Sequence, residues 1–346
     1  MRAKANIRLK EVFGIDNAFT TNDKKYYQHF LKTTIHRFGE IKKFRWSNMA
    51  LRSSELIKQK LEKEQEKKYF LLSPFVQSIT FRMVMLMFFP ETLISSENLV
   101  EVLTSKINRL WIKSKSFETT HLHLLEGEKR ALLDVLGRIM GKPVKEGRDN
   151  PLNIIIPAYE TLWRVVLRIF LEVRFYSTKY QLERTRETAA KFLESPCLNS
   201  LNNNNSGHPS MACIVNEGLR LYPPTRRIHR KCGGAEIGID IEAIQRDSKI
   251  WGPKARVYEP SRWMRPGISN LPNFLPFGKG FVCPAKNEIG PMMIGILVAA
   301  LTTEIGDEYE LSETQENYPL SGARDAFEAM RINLKEVNFE MPQKVN

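Results

Sequence analysis

Cysteines and long apolar runs are both scarce in this sequence. Its 346 residues include only four cysteines, Cys197, Cys213, Cys232 and Cys283, and no two of them form a Cys-x-x-Cys pair. This spacing argues against a disulfide scaffold or a zinc finger and suits a reducing compartment. No stretch reaches the roughly 18 apolar residues of a membrane-spanning helix, and the first residues lack a signal-peptide core. We therefore expect a soluble, cytoplasmic chain.

Acidic residues are outnumbered by basic ones. The chain has 52 Lys and Arg against 39 Asp and Glu, a net charge of +13, and residues 1–70 alone hold 17 Lys and Arg against 8 Asp and Glu. Such a surface attracts nucleic acid, acidic lipid or an acidic redox protein. Because no nucleic-acid motif is present, we expect no nucleic-acid partner. For Lys58–Lys68 a solvated helix face is the better interpretation, and a basic binding protein for an acidic partner stays an alternative.

Apolar residues recur at helical spacing along most of the chain, which predicts a mainly α fold with small β-sheets in a single domain over 1–346. We expect residues 1–140 to be helical after an irregular opening, and 150–346 to carry the functional motifs. The predicted helices cover 24–35, a segment from Ile41, 75–89, 97–113, 150–175, 179–192, a segment from Met211, and 289–301. A strand is expected over 237–244, and a hairpin is expected in the tail around 317–322 and 332–339.

A glycine-containing loop leads to Cys283. Gly278 and Gly280 allow the backbone to turn with positive φ and to pass close to a flat ligand. Pro284 suits the first position of a helix that continues through Ile289–Leu301. Cys283 is therefore predicted at a helix N-terminus, where the dipole lowers the pKa of a thiol and favours the thiolate that binds metal.

Two further segments carry charged or hydroxyl side chains that are candidates for functional or structural roles. Asn150-Pro151 predicts a helix start, and Pro157 predicts a bend just before Glu160-Thr161. By itself an acid followed by a hydroxyl in a helix indicates only exposed helix polarity.

Glu217 and Arg220, three residues apart, share a face of the next helix. They predict either a surface ion pair worth a few tenths of a kcal/mol or a buried pair. A buried pair needs further hydrogen bonds to offset desolvation. Arg262, in Pro-Ser-Arg-Trp, is the candidate third partner.

These segments, in this order, resemble the cytochrome P450 family. Phe277–Cys283 is similar to the haem loop Phe-Gly-x-Gly-x-Arg-x-Cys, although it is one residue shorter and has Phe281 where the family has Arg. Glu160-Thr161 resembles the segment that activates oxygen. Glu217, Arg220 and Arg262 resemble the Glu-Arg-Arg triad of the family, which is structural. The resemblance implies a P450-like fold that is incomplete at the N-terminus.

The resemblance also implies a function and roles for the site residues. Cys283 would be the axial ligand of haem b, within a loop formed by Phe277, Gly278 and Gly280. Arg227 would bind a haem propionate, although the neighbouring Arg226, His229 and Arg230 leave that choice open. Thr161, helped by Glu160, would deliver protons. In all, the resemblance implies roles in the site or its scaffold for these residues: Cys283, Phe277, Gly278, Gly280, Arg227, Thr161, Glu160, Glu217, Arg220 and Arg262.

The implied activity is a monooxygenase reaction. Dioxygen would oxidise a small, apolar organic molecule, with electrons from an NADPH-dependent reductase or another donor. Anchored members of the family work at the endoplasmic reticulum surface, which would be the location if this chain behaves like them. The shortened loop leaves open a truncated, inactive relative that does not bind haem productively.

Overall fold

A computed structural model describes residues 2–43, 46–116, 119–204, 207–232, 235–265, 267–268, 271–278, 283–312 and 319–335. Within these ranges the chain is mostly helical, with a three-stranded and a two-stranded antiparallel sheet. The predicted fold class, mainly α with small β-sheets, is confirmed at that level. None of the helices in these ranges combines the length and the apolar character needed to span a bilayer.

The α-helices are α1 Arg2–Phe13, α2 Lys24–Lys43, α3 Trp46–Gln65, α4 Leu72–Phe88, α5 Glu97–Ser116, α6 Glu126–Met140, α7 Leu152–Arg174, α8 Lys179–Glu194, α9 Leu198–Leu201, α10 Met211–Leu221, α11 Ile241–Gln245, α12 Ser248–Trp251 and α13 Ile289–Glu304. The strands are β1 Tyr69–Leu71, β2 Arg227–Cys232, β3 Ala235–Asp240, β4 Tyr309–Leu311 and β5 Arg331–Leu334. Short 3₁₀ helices cover Thr119–Leu125 and Pro260–Met264.

The start of the chain is helical, so the expected irregular opening is wrong. In α1 the side chains of Leu9, Val12 and Phe13 are buried. Their spacing of three and four residues places them on one face of the helix. That face packs against the segment Thr119–Leu125 and against α5. Tertiary packing therefore stabilises a segment whose composition alone is too polar to predict a helix.

The strand predicted over 237–244 lies at Ala235–Asp240 in the structure, so it ends four residues earlier than expected. Strand β3 ends at Asp240, whose side chain accepts a hydrogen bond from Ala243 N at 2.9 Å and caps α11. In the tail, β4 pairs antiparallel with β5, so a hairpin does form there, but its first strand lies at Tyr309–Leu311 and not around 317–322. Residues 317–318 and 336–339 of the predicted hairpin lie outside the described residues. Strand β5 also pairs with β1 and so lies between β1 and β4, with Phe70 opposite Ile332. Strand β5, near the end of the chain, is thereby hydrogen-bonded to β1, which lies within the first third of the chain.

Helix α7 runs through the core, in contact with α4 and α13. Pro157 lies inside it and cannot donate to the carbonyl of Asn153, four residues earlier. That carbonyl accepts a hydrogen bond from Asn17 Nδ2 at 3.1 Å instead. Asn150 Oδ1 accepts from Leu152 N at 2.9 Å, which caps the helix start as predicted. A side chain from the N-terminal region thus compensates for the proline.

Candidate functional site: a buried Glu–Arg–Arg triad and a cysteine loop

Helix α10 carries Glu217 and Arg220. Ser210 caps the helix, its side chain accepting a hydrogen bond from Cys213 N. Arg220 Nε and Nη2 each donate to the carboxylate of Glu217 at 2.8 Å, and both side chains are 0% exposed. The geometry is a bidentate fork, the strongest arrangement for this pair. Of the two possibilities left open by the sequence, the structure shows the buried pair.

Arg262 lies against the same carboxylate. Its Nε is 3.4 Å from Glu217 Oε1, and its side chain is only 3% exposed. Trp263 Nε1 donates to Glu217 Oε2 at 2.9 Å, and Glu259 N donates to Oε1 at 2.9 Å. The structure therefore brings all three predicted triad residues together. It adds an indole and a backbone N–H, which reasoning from the sequence missed although Trp263 adjoins Arg262.

The other donors of the two arginines bind backbone carbonyls. Arg220 Nη1 donates to Gln245 O at 2.7 Å and to Ala255 O at 2.6 Å. Arg262 Nη1 donates to Trp251 O at 2.8 Å, and its Nη2 donates to Lys254 O at 2.9 Å. Burying an ion pair costs several kcal/mol per ion unless such bonds compensate. The triad thus fixes α10 to the irregular segment that follows α11.

Gly218 lies between the two charged residues in sequence and faces the opposite way. A Cβ atom built there would lie 2.1 Å from Ile169 Cγ1 of α7. No side chain larger than hydrogen fits without displacement of Ile169. The glycine therefore allows α10, which carries Glu217 and Arg220, to pack directly on α7, which carries Glu160 and Thr161.

Cys283 closes a short loop. Its backbone N donates to Phe277 O at 3.0 Å, and Gly278 has φ +82° in a turn in which its N donates to Leu275 O at 3.0 Å. The ring of Phe277 packs against Gly290, because a Cβ atom built on Gly290 would lie only 3.0 Å from Phe277 Cε1. Cys283 is exposed and is not in a disulfide. The predicted Gly280 lies outside the described residues.

The helix after Cys283 begins later than predicted. Residues 284–288 form turns, and α13 starts at Ile289. Pro291 explains the shift, since proline is accommodated in the first turn of a helix but not further inside it. The first helical bond runs from Met292 N to Glu288 O at 2.9 Å. The prediction that Cys283 sits at a helix N-terminus is therefore wrong, and the helix dipole does not act directly on its thiol.

Glu160 and Thr161 point in different directions. Thr161 is exposed, and its hydroxyl donates to Pro157 O at 2.9 Å and lies 3.2 Å from Ala158 O. Glu160 is 3% exposed and forms an ion pair with Arg324. A 100° step separates successive residues of a helix, so the two groups face different surroundings. The structure does not bring the acid and the hydroxyl together.

Arg227 opens β2 and faces solvent. Its Nε binds Asp240 Oδ2 at 3.1 Å, and its side chain is 68% exposed. The pairing follows from the register of the hairpin, in which Arg227 lies opposite Asp240. The neighbouring Arg226 turns the other way, toward Gly322 and Glu242. The structure thus separates the two arginines between which the sequence did not decide.

No group of three or more His, Cys, Asp or Glu side chains that could hold a metal ion occurs in the part of the chain described. A haem iron takes one or two ligands from the protein, so such a group is not what a haem centre requires.

Known proteins match part of the chain. It is 30% identical over 127 residues to cytochrome P450 714A2 of Arabidopsis thaliana, a match that covers 32% of this chain and 23% of that protein. It is 37% identical over 94 residues to the A. thaliana cytochrome P450 72A13, covering 22% and 18% of the two chains. It is 30% identical over 122 residues to the putative cytochrome P450 CYP13A7 of Caenorhabditis elegans, covering 31% and 23%. No protein-family profile matches.

These matches span less than a quarter of the length of the relatives. They indicate a partial, distant relationship to cytochromes P450 over about a fifth to a third of this chain. The relationship supports an oxidoreductase family in general terms and does not by itself assign an activity to the chain.

Proposed function

We propose that this chain is a haem-thiolate monooxygenase of cytochrome P450 type with a P450-like fold. The observation that carries the proposal is the buried triad of Glu217, Arg220 and Arg262. A surface ion pair was the ordinary expectation for the first two residues, whereas the resemblance required a buried group with Arg262 as its third member. The partial matches to cytochromes P450 support the same conclusion.

The cysteine loop has suitable chemistry for haem b. A metal centre that takes one soft ligand from the protein needs an accessible thiol on a backbone able to approach a flat ring. Cys283 is exposed, and Gly278 supplies a left-handed turn in the same loop. Cys283 would hold the haem iron, with Phe277, Gly278 and Gly280 forming its loop. When bound, a thiolate-ligated haem supplies the chemistry that activates dioxygen.

The remaining proposed roles belong to residues of α7 and β2. Thr161 presents its hydroxyl at an exposed position, from which it can exchange protons with water. Glu160 would help Thr161 only after its carboxylate leaves Arg324. Arg227 is exposed enough to bind a propionate, in competition with Asp240. Glu217, Arg220 and Arg262 hold the scaffold and take no part in the reaction.

The partners in this proposal are dioxygen, a small apolar organic substrate, and an NADPH-dependent reductase or another electron donor. The net charge of +13 would favour docking of an acidic donor, because complementary charge raises the rate of encounter.

A haem titration tests the proposal. The purified chain is titrated with haem b while the Soret absorption is followed, in parallel with Cys283→Ala and Cys197→Ala. Cys197 is also exposed and lies in a different part of the fold, so it is the matched control. We expect stoichiometric binding by the native chain and by Cys197→Ala, and a weaker, spectrally different complex with Cys283→Ala. Equal behaviour of all three proteins would contradict the assignment of Cys283.

A second candidate function is a P450 relative that does not bind haem productively. Specific contacts favour it. Thr161 bonds back to its own helix, Glu160 is held by Arg324, and Arg227 is held by Asp240. In that case the same titration would show no stoichiometric haem. A basic binding protein for an acidic partner is a third possibility, for which salt-dependent binding to a polyanion would be the test.

A further inference from the structure

Five cationic side chains from separate parts of the chain lie in one region: two against Trp111 of α5, two against Gly322, and one on the turn of α5 that follows Trp111. They come from α1, α5, α7, the residue before β2, and the segment before β5. We call them the cationic cluster, and they are Arg8, Lys115, Arg164, Arg226 and Arg324.

The aromatic ring of Trp111 lies between two members of the cluster. The guanidinium carbon of Arg8 is 5.1 Å from the ring centroid, and that of Arg324 is 4.2 Å from it. Arg8 Nη1 also donates to Ser114 Oγ at 2.5 Å, one turn further along α5. Stacking on an aromatic face holds guanidinium groups in place without neutralising them. Trp111 thus positions two cations near Lys115, which lies four residues later on the same helix.

Gly322 joins the other two arginines to this place. Arg164 Nη2 donates to Gly322 O at 2.8 Å. The guanidinium of Arg226 lies against the same residue, because a Cβ on Gly322 would be 3.1 Å from Arg226 Cζ. Arg324 is only two residues beyond Gly322. The segment before β5 therefore places Arg164 and Arg226 close to Arg324.

Carboxylates compensate only part of this charge. Glu160 pairs with Arg324, and Glu242 Oε2 is 2.6 Å from Arg226 Nε. Within the described residues, no carboxylate lies within ion-pair distance of Arg8, Lys115 or Arg164. Arg324 is nine-tenths buried, yet its Nε has no hydrogen-bond partner there. A buried guanidinium donor without an acceptor is unfavourable, and an incoming anion would relieve it.

The electrostatics of Lys115 agree with this geometry. Burial, followed by the charges of the other four members of the cationic cluster, lowers the pKa of Lys115 from 10.5 to about 8. Lys115 is partly covered by its neighbours but still reaches solvent, and the side chain of Arg226 is 42% exposed. A small ligand can therefore reach these two cations from solvent, while Arg164 and Arg324 lie deeper.

We propose that the cationic cluster binds the carboxylate of a small organic anion through Lys115, Arg226 and Arg324. Guanidinium groups present a planar fork that matches a carboxylate, which favours a carboxylate over a spherical ion. No member of the cluster belongs to the cysteine loop, and the proposal does not depend on whether the chain binds haem.

The test uses benzoate as the probe and benzamide as its neutral counterpart, with haem-free protein in isothermal titration calorimetry. The variants are Lys115→Met and the matched control Lys113→Met. Lys113 lies on the same helix, but its Nζ binds Glu128 Oε1 at 2.5 Å, away from the cluster. We expect saturable binding of benzoate and none of benzamide. Loss of one charge-assisted contact should weaken binding by about tenfold in Lys115→Met and leave Lys113→Met unchanged.

A second measurement separates a ligand contact from a structural role. In protein labelled by reductive ¹³C-methylation, NMR reports the pKa of Lys115, which bound benzoate should raise because an anion favours the charged form. Thermal unfolding checks that Lys115→Met is folded. The proposal is overturned if benzoate does not bind saturably, or if Lys115→Met binds it as tightly as the native chain. It is also overturned if the variant weakens haem binding alone, since the cluster would then serve the cofactor.

Discussion

Glu217 accepts two hydrogen bonds of 2.8 Å from Arg220, and neither side chain is exposed to solvent. Arg262, Trp263 and the backbone N–H of Glu259 converge on the same carboxylate. One buried anion thus organises the segment between α10 and the cysteine loop. Its removal is the most direct way to test how far the fold depends on that organisation.

Glu217→Gln should destabilise the chain strongly. The amide keeps the shape of the side chain but leaves Arg220 as a buried charge without a counter-ion, and leaves Arg262 paired with Glu259 alone. Breaking a buried pair in this way typically costs about 3 to 5 kcal/mol. Urea unfolding followed by circular dichroism would measure the loss in the free energy of unfolding.

Glu187→Gln is the matched control for that substitution. Glu187 pairs with Arg184 at the same spacing of three residues and the same distance of 2.8 Å, but their side chains are 56% and 41% exposed. Water and salt screen an exposed pair, so we expect no measurable change in the free energy of unfolding. A similar loss in both variants would show that burial is not what makes the Glu217 contact important.

Gly218→Ala should also be destabilising, for a steric reason. The new Cβ would lie 2.1 Å from Ile169 Cγ1, so α10 and α7 must move apart or Ile169 must leave its rotamer. Overpacking of this kind typically costs about 1 to 3 kcal/mol.

Gly39→Ala is the comparison variant, since Gly39 lies inside α2 with open space around it. Alanine is favoured over glycine inside a helix, so this variant should gain roughly 0.5 to 1 kcal/mol. Differential scanning calorimetry would give opposite shifts in Tm for the two variants. Shifts of the same sign would contradict the close packing of α10 on α7.

Glu97 gives the fold a defined dependence on acid. Burial alone would raise the pKa of Glu97, but hydrogen bonds from Lys60 and Ser78 and the charges of Lys60 and Arg82 outweigh it. They lower the pKa from 4.5 to about 2. Because the folded state favours the ionised form, this contribution is complete above about pH 4.5 and is lost as the pH falls toward 2.

Glu97→Gln should therefore lower the free energy of unfolding at pH 7 by roughly 2 kcal/mol, a figure reduced for the 27% exposure of the side chain. The difference from the native chain should vanish near pH 2. Glu101→Gln removes the other carboxylate bound to Lys60, with a side chain 44% exposed, and should cost less. Urea unfolding at several pH values would check both expectations, and a pH-independent difference for Glu97→Gln would contradict them.

The sequence predicted the long helices well because their apolar residues recur at helical spacing over many turns. The sequence did not predict the elements whose structure depends on contacts between residues far apart in the chain. The helicity of α1 depends on packing of Leu9, Val12 and Phe13, and β5 pairs with a strand far away in sequence. The late start of α13 had a visible signal, Pro291, which the apolar run obscured.

The same distinction applies to the candidate site, where contacts within one helix could be predicted and most contacts between distant segments could not. The spacing of Glu217 and Arg220 fixed their shared helix face, so their contact could be anticipated together with Arg262. The pairing of Glu160 with Arg324 joins residues far apart in sequence, and no local pattern indicates it. The same holds for the cationic cluster, whose members come from five separate segments. The position of Arg227 opposite Asp240 follows from the register of β2 with β3, which the sequence did not predict, and its role stays a prediction.

The absorption spectrum of the reduced protein with carbon monoxide tests the central claim most directly. Haem-loaded chain is reduced with dithionite, and the spectra with and without carbon monoxide are compared with those of Cys283→Ala. Thiolate ligation by Cys283 predicts a strongly red-shifted Soret band that disappears in the variant. A band without that shift, or one that Cys283→Ala retains, would contradict a haem-thiolate centre at Cys283.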